Sequence, residues 1–491
     1  MPTLRCVLGI DIGTSGARAL VVDSDGGILG EAFVALPAPR ASGTGREQDA
    51  RLWWDAVVAA IRTALARASD SAASTPAIQA LAVDATSGTI VPVDGVLAPV
   101  GPGLMYNDGR ATHEASVLNT AAAGLGQGAP FNASYAAAKI LWLQWNREDV
   151  AARARRFLHQ ADYVNARLLD ARVPADVATD ESNALKTGYD PVRRAWSPAL
   201  AAVGIATDRL PQVVPTGSML GHVGPDAAAA TGLPPGCRIV AGMTDGTAAA
   251  LASGATAFGD GNTTIGTTLV WKLRARTPLA DPLGRLYCHR HPGGGFLPGG
   301  AGNAGGEGIA HAVVPEVPLA GATLDELAAG LQDEPPSGRL CYPLPRPGER
   351  FPFVDAAFRQ FVDPPADTPA QCYRAALEGL ACIERWGYEI VGELGASLDG
   401  TVWTTGVGAG HPVWMQLRAD FLGRPVSRPQ RPESGFGAAL VAAMNVWYDG
   451  NWDAASRLVV ESFRCEPRPG QHSRCEQQYR AFRAACARRR R

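Results

Sequence analysis

The chain has 491 residues, 46% hydrophobic and 19% charged, with 56 glycines and 37 prolines spread along it, which excludes collagen, a coiled coil and a mainly disordered protein and leaves a globular chain of two or three domains. Its 45 basic and 47 acidic residues give a formal charge of −2, so no overall field favours nucleic acid or an anionic membrane, and small molecules are the expected partners. No charged leader precedes the first apolar strand, no apolar run is long enough to span a bilayer, and nine scattered cysteines lack CxxC or Cys/His spacing, so a cytoplasmic protein with reduced thiols is expected.

In chain order, Leu4 to Asp11 reads as a buried strand, and Ile12-Gly13-Thr14-Ser15-Gly16 as a turn too poor in side chains to be core. Ala17 to Ser24 and Ile28 to Val34 continue a meander through the hairpin signal Asp25-Gly26-Gly27. Ala50 to Ala68 has apolar residues at helical spacing, and Ile78 to Asp84 reads as the next strand. Three strands, a helix and a strand imply a mixed sheet with helices packed on it, an α/β fold.

A second copy of this grammar starts past residue 245. Asn262-Thr263-Thr264-Ile265-Gly266-Thr267-Thr268 repeats the order of polar residue, Ile-Gly-Thr turn and following strand found at Asp11-Ile12-Gly13-Thr14. Pro369 to Leu394, Pro412 to Leu422 and Gly435 to Tyr448 read as helices and Thr401 to Thr405 as a strand, while the proline-rich Tyr342 to Phe353 reads as an ordered surface loop. The expected domains are 1–248 and 249–491, with C-terminal helices able to pack back across the boundary.

Lysine is nearly absent: only Lys139, Lys186 and Lys272 occur, and none follows a glycine. A GxxxxGK[ST] phosphate loop is therefore excluded, as are protein kinases, since no HRD or DFG triplet occurs. The GxGxxG match at Gly300 to Gly305 is set aside because Pro298 stands before it and the βαβ pattern is poor. His289 and His291 read as loop residues, and the basic run Arg488 to Arg491 as a solvated terminus. Cys465 and Cys475 are close enough in sequence to approach, but unpaired packing is the reading adopted.

Four places can carry chemistry. Asp11, delivered by a strand to the turn Thr14-Ser15, suits a phosphate chain and a hard divalent cation, or it simply caps a hairpin. Gly266-Thr267-Thr268 offers backbone N–H groups and hydroxyls to the same phosphates, or is an ordinary threonine hairpin. Gly406-Val407-Gly408-Ala409-Gly410 follows a strand and precedes a helix, where glycine admits a flat base or close packing. Asp245 opens a small-residue helix whose N-terminus favours a carboxylate, as an N-cap or as the acceptor of a proton from a sugar hydroxyl.

Together, Gly9-Ile10-Asp11-Ile12-Gly13-Thr14-Ser15, the threonine turn, the glycine turn and Asp245 resemble the FGGY family of carbohydrate kinases, in order from about Leu8 to Met444. The resemblance implies two ribonuclease H-like domains of the actin, hexokinase and Hsp70 type with a central cleft, closing over MgATP and a sugar. It implies that Asp11, Thr14 and Ser15 form a first phosphate loop with Asp11 on Mg²⁺, and that Gly266, Thr267 and Thr268 form a second. Gly406, Gly408, Ala409 and Trp414 would lie on adenosine, and Asp245 would be the catalytic base. Asp84-Ala85-Thr86-Ser87-Gly88-Thr89, Asn183-Ala184-Leu185-Lys186 and Gly348-Glu349-Arg350-Phe351-Pro352 are similar to segments of D-ribulose kinase-like members, which implies sugar contact by Ser87. Tyr106-Asn107-Asp108-Gly109-Arg110 resembles the substrate segment of xylulose kinases, where Asn107 and Asp108 would hold hydroxyls. Ala85-Thr86-Ser87-Gly88 departs from the Gln-Met-His-Gly of typical xylulose kinases, and Val407 and His411 depart at the adenosine turn. The expected activity is phosphorylation of D-ribulose, or D-xylulose, at its terminal hydroxyl. The alternatives are a kinase for glycerol or L-ribulose and a non-catalytic sugar-binding protein, and a homodimer is compatible with either.

Overall fold

A computed structural model describes residues 4–71, 75–126, 131–310, 326–327, 334–406 and 410–490. The chain forms two compact units: Met1–Ala252 with His289–Gly294 and Glu433–Leu458, and Ser253–Cys288 with Gly295–Pro432 and Val459–Arg491.

The first unit is built on a six-stranded mixed sheet. Leu4–Ile12 lies at its centre, antiparallel to Gly16–Asp23 and parallel to Pro76–Ala85, which in turn is parallel to Arg238–Thr244. Ile28–Ala35 and Met219–His222 close the two edges. Both faces of the central strands are covered, so Cys6, Val7, Leu8, Ile10 and Ile12 are all fully buried, the continuous apolar run expected of a strand between two layers. The helix Ala50–Ser71 buries Trp53, Ala56, Val57, Ala60, Ile61, Ala64 and Ala68, a stripe at three- and four-residue spacing. On the other face lies Ser434–Trp447, rich in glycine and alanine for a steric reason. A Cβ on Gly9 would stand 1.8 Å from the Gly435 carbonyl oxygen, and one on Gly437 would stand 2.0 Å from the Ala248 carbonyl oxygen. This helix therefore touches both the Leu4–Ile12 strand and the helix Asp245–Ala252 backbone to backbone.

The second unit repeats the plan. Gly261–Ile265 pairs antiparallel with Leu269–Leu273, which pairs antiparallel with Phe296–Ala301, and on its other side it runs parallel to Val402–Thr405, itself parallel to Val426–Pro429. The short Ile-Gly-Thr repeat thus marks a duplicated sheet topology. The glycine run at Gly300 begins inside the strand Phe296–Ala301, which is antiparallel to its neighbour, so no βαβ unit surrounds it.

Two expectations need correction. The loop Tyr342 to Phe353 is ordered but not superficial: Tyr342, Leu344, Phe351 and Phe353 belong to the second unit's core, because their rings pack against Trp271, Phe358, Trp386 and Phe482. His289 and His291 are buried, not exposed on a loop. The basic end stays exposed at Arg488, Arg489 and Arg490, as a solvated terminus should, while Arg489 lies over the Phe361 ring and donates to Asp363 at 2.9 Å and Arg490 lies over Phe353. Cation–π contact and carboxylate pairing hold these guanidinium groups down. All nine cysteines are free thiols.

Candidate active site

Three carboxylates gather at the C-terminal ends of three neighbouring parallel strands in the first unit. Asp11 and Asp84 are register partners on Leu4–Ile12 and Pro76–Ala85, and Asp84 faces Met243 on Arg238–Thr244, two residues before Asp245. The crevice beyond the carboxyl ends of parallel strands is where open α/β sheets hold ligands. Asp84 is fully buried, and neither carboxylate oxygen has a hydrogen-bond partner among the described residues. Burial, then the charges of Asp11 and Asp245, push its carboxyl well above the usual range. Asp84 is the residue that sequence reasoning missed as a site residue. Its signal was the strand Ile78 to Asp84, whose last residue falls level with Asp11 once the two strands are paired in parallel.

Asp245 is half-buried at the start of Asp245–Ala252, where its Oδ1 accepts the Gly246 N–H at 2.6 Å. The residues around it are fixed by hydroxyls: Ser182 Oγ lies 3.0 Å from both Thr244 Oγ1 and Thr247 Oγ1, accepts the Thr244 N–H at 3.2 Å and stands 3.4 Å from His289 Nδ1.

Thr14 and Ser15 occupy the turn after Asp11, closed by the Gly13 N–H on the Gly16 carbonyl, with the Ser15 side of the turn exposed. In the second unit Gly266, Thr267 and Thr268 form the corresponding turn, and the Gly306 and Glu307 N–H groups donate to the Gly266 and Thr267 carbonyls. Gly406 follows Val402–Thr405 with φ of +88°, and a Cβ there would sit 2.3 Å from the Ile265 carbonyl oxygen, so only glycine fits. Gly408 and Ala409 lie outside the described residues. Trp414 is buried on Pro412–Leu422 with an indole N–H that has no partner among the described residues. Behind it the Arg418 guanidinium grips Glu384 with two bonds of 2.7 and 2.6 Å and donates to Thr404 Oγ1 at 2.7 Å.

On the sugar side, Thr86-Ser87-Gly88-Thr89 is a turn held from several directions. Thr86 Oγ1 meets Gln160 Oε1 and Thr89 Oγ1, both at 2.6 Å. Ser87 Oγ is buried without a partner among the described residues. Asn107 is exposed, whereas Asp108 is buried with its oxygens taken up by the Arg46 N–H at 2.8 Å and the Arg110 guanidinium at 2.7 Å.

The residues fit a magnesium nucleotide. Among the described residues no three metal-ligating side chains close on one point, but magnesium is held by one or two carboxylates together with phosphates and water, and the unpartnered Asp84 beside Asp11 is such a pair. Among the described residues no helix is long and apolar enough to cross a membrane.

Residues 6–252 match the N-terminal domain, and residues 261–446 the C-terminal domain, of the FGGY family of carbohydrate kinases. A xylulose kinase of Klebsiella pneumoniae is 26% identical, over 89% of this chain and 88% of its own. A gluconokinase of Bacillus subtilis is 24% identical, over 94% and 91%. The crystal structure of a xylulose kinase from Rhodospirillum rubrum superposes with a TM-score of 0.85 at 27% identity, covering 98% of both chains.

Proposed function

Because the chain belongs to the FGGY family of carbohydrate kinases, and is thus a sugar kinase that resembles xylulose kinases, we propose that it phosphorylates a ketopentose, D-xylulose or D-ribulose, at the terminal hydroxyl with ATP. The observation that carries the reading is the set of Asp11, Asp84 and Asp245 on adjacent strand ends.

In this reading Asp245 accepts the proton of the attacking hydroxyl as its oxygen bonds to the γ-phosphorus and the bond to ADP breaks. The proton then leaves to solvent. Asp11 and Asp84 would hold Mg²⁺, which when bound neutralises charge on the phosphates. Thr14 and Ser15, with Gly266, Thr267 and Thr268, offer backbone N–H groups and hydroxyls to the phosphate chain, and Gly406 and Trp414 border the adenosine. Gly408 and Ala409 belong to that same proposed adenosine turn. Ser87 Oγ, which lacks a partner among the described residues, and Asn107, whose side chain is exposed, supply donors and acceptors to sugar hydroxyls, while Asp108 shapes the segment through Arg46 and Arg110. Phosphoryl transfer needs alignment and charge stabilisation more than covalent help, and this set of groups supplies both.

The gluconokinase relatives favour a second reading, an aldonate as acceptor. A coupled ADP-release assay over D-xylulose, D-ribulose, L-ribulose, glycerol and gluconate separates the two. Turnover greatest on D-xylulose or D-ribulose is expected. Turnover confined to gluconate or glycerol sinks the ketopentose assignment, and sugar binding with no ADP from any acceptor points to a non-catalytic protein.

A further inference from the structure

Three lysines in 491 residues make each one conspicuous, and two of them end on a single turn. Lys139, on the helix Ala136–Asn146, is fully buried, and its Nζ donates to the Gly88 carbonyl at 2.9 Å and to the Met105 carbonyl at 2.6 Å. Lys186 Nζ donates to the neighbouring Ser87 carbonyl at 3.3 Å. A buried ammonium is costly, and a methionine would fill the same space without the charge. Burial, followed by the Lys186 charge, holds the Lys139 ammonium well below its ordinary range, with Asp108 acting in the opposite sense. What the lysine supplies and methionine does not is two hydrogen bonds to carbonyls 17 residues apart in sequence, one on each of the segments proposed to touch sugar.

The rest of the turn is arranged to match. Gly88 has φ of +88°, and a Cβ on it would come within 2.7 Å of the Ser134 carbonyl oxygen, just before the helix that carries Lys139. The Thr86 hydroxyl is fixed by Gln160, the Ser87 carbonyl by Lys186 and the Gly88 carbonyl by Lys139, while Ser87 Oγ has no partner among the described residues. The Met105 carbonyl lies two residues before Asn107, in a segment also closed by the Asp108 N–H on that same carbonyl at 3.0 Å.

We infer that Lys139, seconded by Lys186, is a positioning residue for the sugar: by tying Gly88 to Met105 it fixes Ser87 and Asn107 relative to each other and so sets which ketose hydroxyls the pair accepts. This rests on the proposed sugar role of Ser87 and Asn107. It assigns the discrimination between ketopentoses to a cross-link beneath the contact residues, in a chain whose turn lacks the imidazole of typical xylulose kinases.

The test compares Lys139→Met and Lys186→Met with the unaltered protein. Loss of the pair of hydrogen bonds is expected to raise the ketose KM by about tenfold or more in Lys139→Met and by a smaller factor of the same sign in Lys186→Met, with the KM for ATP within about twofold. The preference between D-xylulose and D-ribulose should narrow. A lysine that served folding alone would lower the denaturation midpoint and move neither the ketose KM nor the preference, and that result overturns the inference. Should Lys139→Met fail to fold, an unchanged ketose KM in Lys186→Met overturns it instead. Amide hydrogen exchange at Thr86 to Thr89 and Met105 to Asp108, measured without sugar, is expected to quicken in both variants. That readout does not depend on the acceptor, so unchanged exchange defeats the cross-link itself, while quickened exchange with no ADP from any ketose defeats the ketopentose reading and leaves the cross-link standing.

Discussion

Asp11 and Asp84 lie Cα opposite Cα on adjacent parallel strands, and the same two places in the second unit's sheet are taken by Thr264 and Thr405, whose hydroxyls meet at 2.8 Å. One duplicated topology therefore carries two chemistries at equivalent register. The hydroxyl pair satisfies itself, whereas Asp84, fully buried beside one like charge and near a second, has no hydrogen-bond partner for either oxygen among the described residues.

That frustration has a measurable cost. Asp84→Asn keeps the side-chain shape and removes the like-charge repulsion, so the ligand-free protein should become more stable by about 1–3 kcal/mol in urea denaturation. Turnover should fall by about a hundredfold or more, because a carboxylate proposed to hold the cation is gone. A variant that loses stability and keeps full activity would contradict the assignment.

Asp245→Asn separates binding from chemistry. The amide oxygen can still accept the Gly246 N–H, and the Ser182, Thr244 and Thr247 hydroxyls still fix the start of the helix. Calorimetry should show sugar and nucleotide bound as before, while turnover drops by about 10²- to 10⁴-fold, the usual contribution of a general base. Turnover close to that of the unaltered protein would remove Asp245 from the reaction.

How much of this was legible in the sequence follows from range. The strand Leu4–Ile12, the helix Ala50–Ser71 and the helix Pro412–Leu422 are written in local periodicity, and the Ile-Gly-Thr repeat announced the second sheet. Asp84 escaped notice because its importance depends on register with Asp11, a pairing across 73 positions that no local pattern encodes. The misjudged histidines and the Tyr342 to Phe353 loop share another cause. Polar and proline-rich residues read as surface by composition, but long-range partners bury them: Ser182 stands by His289, and the Tyr342 ring stacks on Phe482.

In the second unit, Arg418 and Glu384 are both buried and joined by two hydrogen bonds, with Thr404 as a third contact. Removing one partner strands the other charge, so Arg418→Met should destabilise the protein by about 3–5 kcal/mol, and Arg418→Met combined with Glu384→Leu should recover much of that loss. Chemical denaturation of the single and double variants checks it. A single variant within about 0.5 kcal/mol of the unaltered protein would show that the pair holds nothing.

Asp180 gives the stability a pH dependence whose sign is fixed. Its buried carboxyl is pushed up to about 6 by desolvation, with the Asp162 charge adding to the shift and the hydrogen bonds from Asn183 and the nearby His159 opposing it. In the unfolded chain an aspartate releases its proton near 4. Between those values the folded protein binds more protons than the unfolded one, so this group's contribution falls as pH rises from about 4 to about 6, by roughly 3 kcal/mol in all, and is level above. Asp180→Asn cannot titrate, and its amide oxygen can still accept the Asn183 N–H that Asp180 takes at 2.8 Å. Urea midpoints at intervals between pH 4 and pH 7 should therefore show the variant gaining on the unaltered protein up to about pH 6 and running parallel to it beyond. Parallel curves over the whole range would mean that Asp180 titrates like an exposed aspartate. The consequence reaches the sugar side, because Asp180 caps Glu181–Ala184 and the chain leaving that helix carries Lys186 to the Ser87 carbonyl.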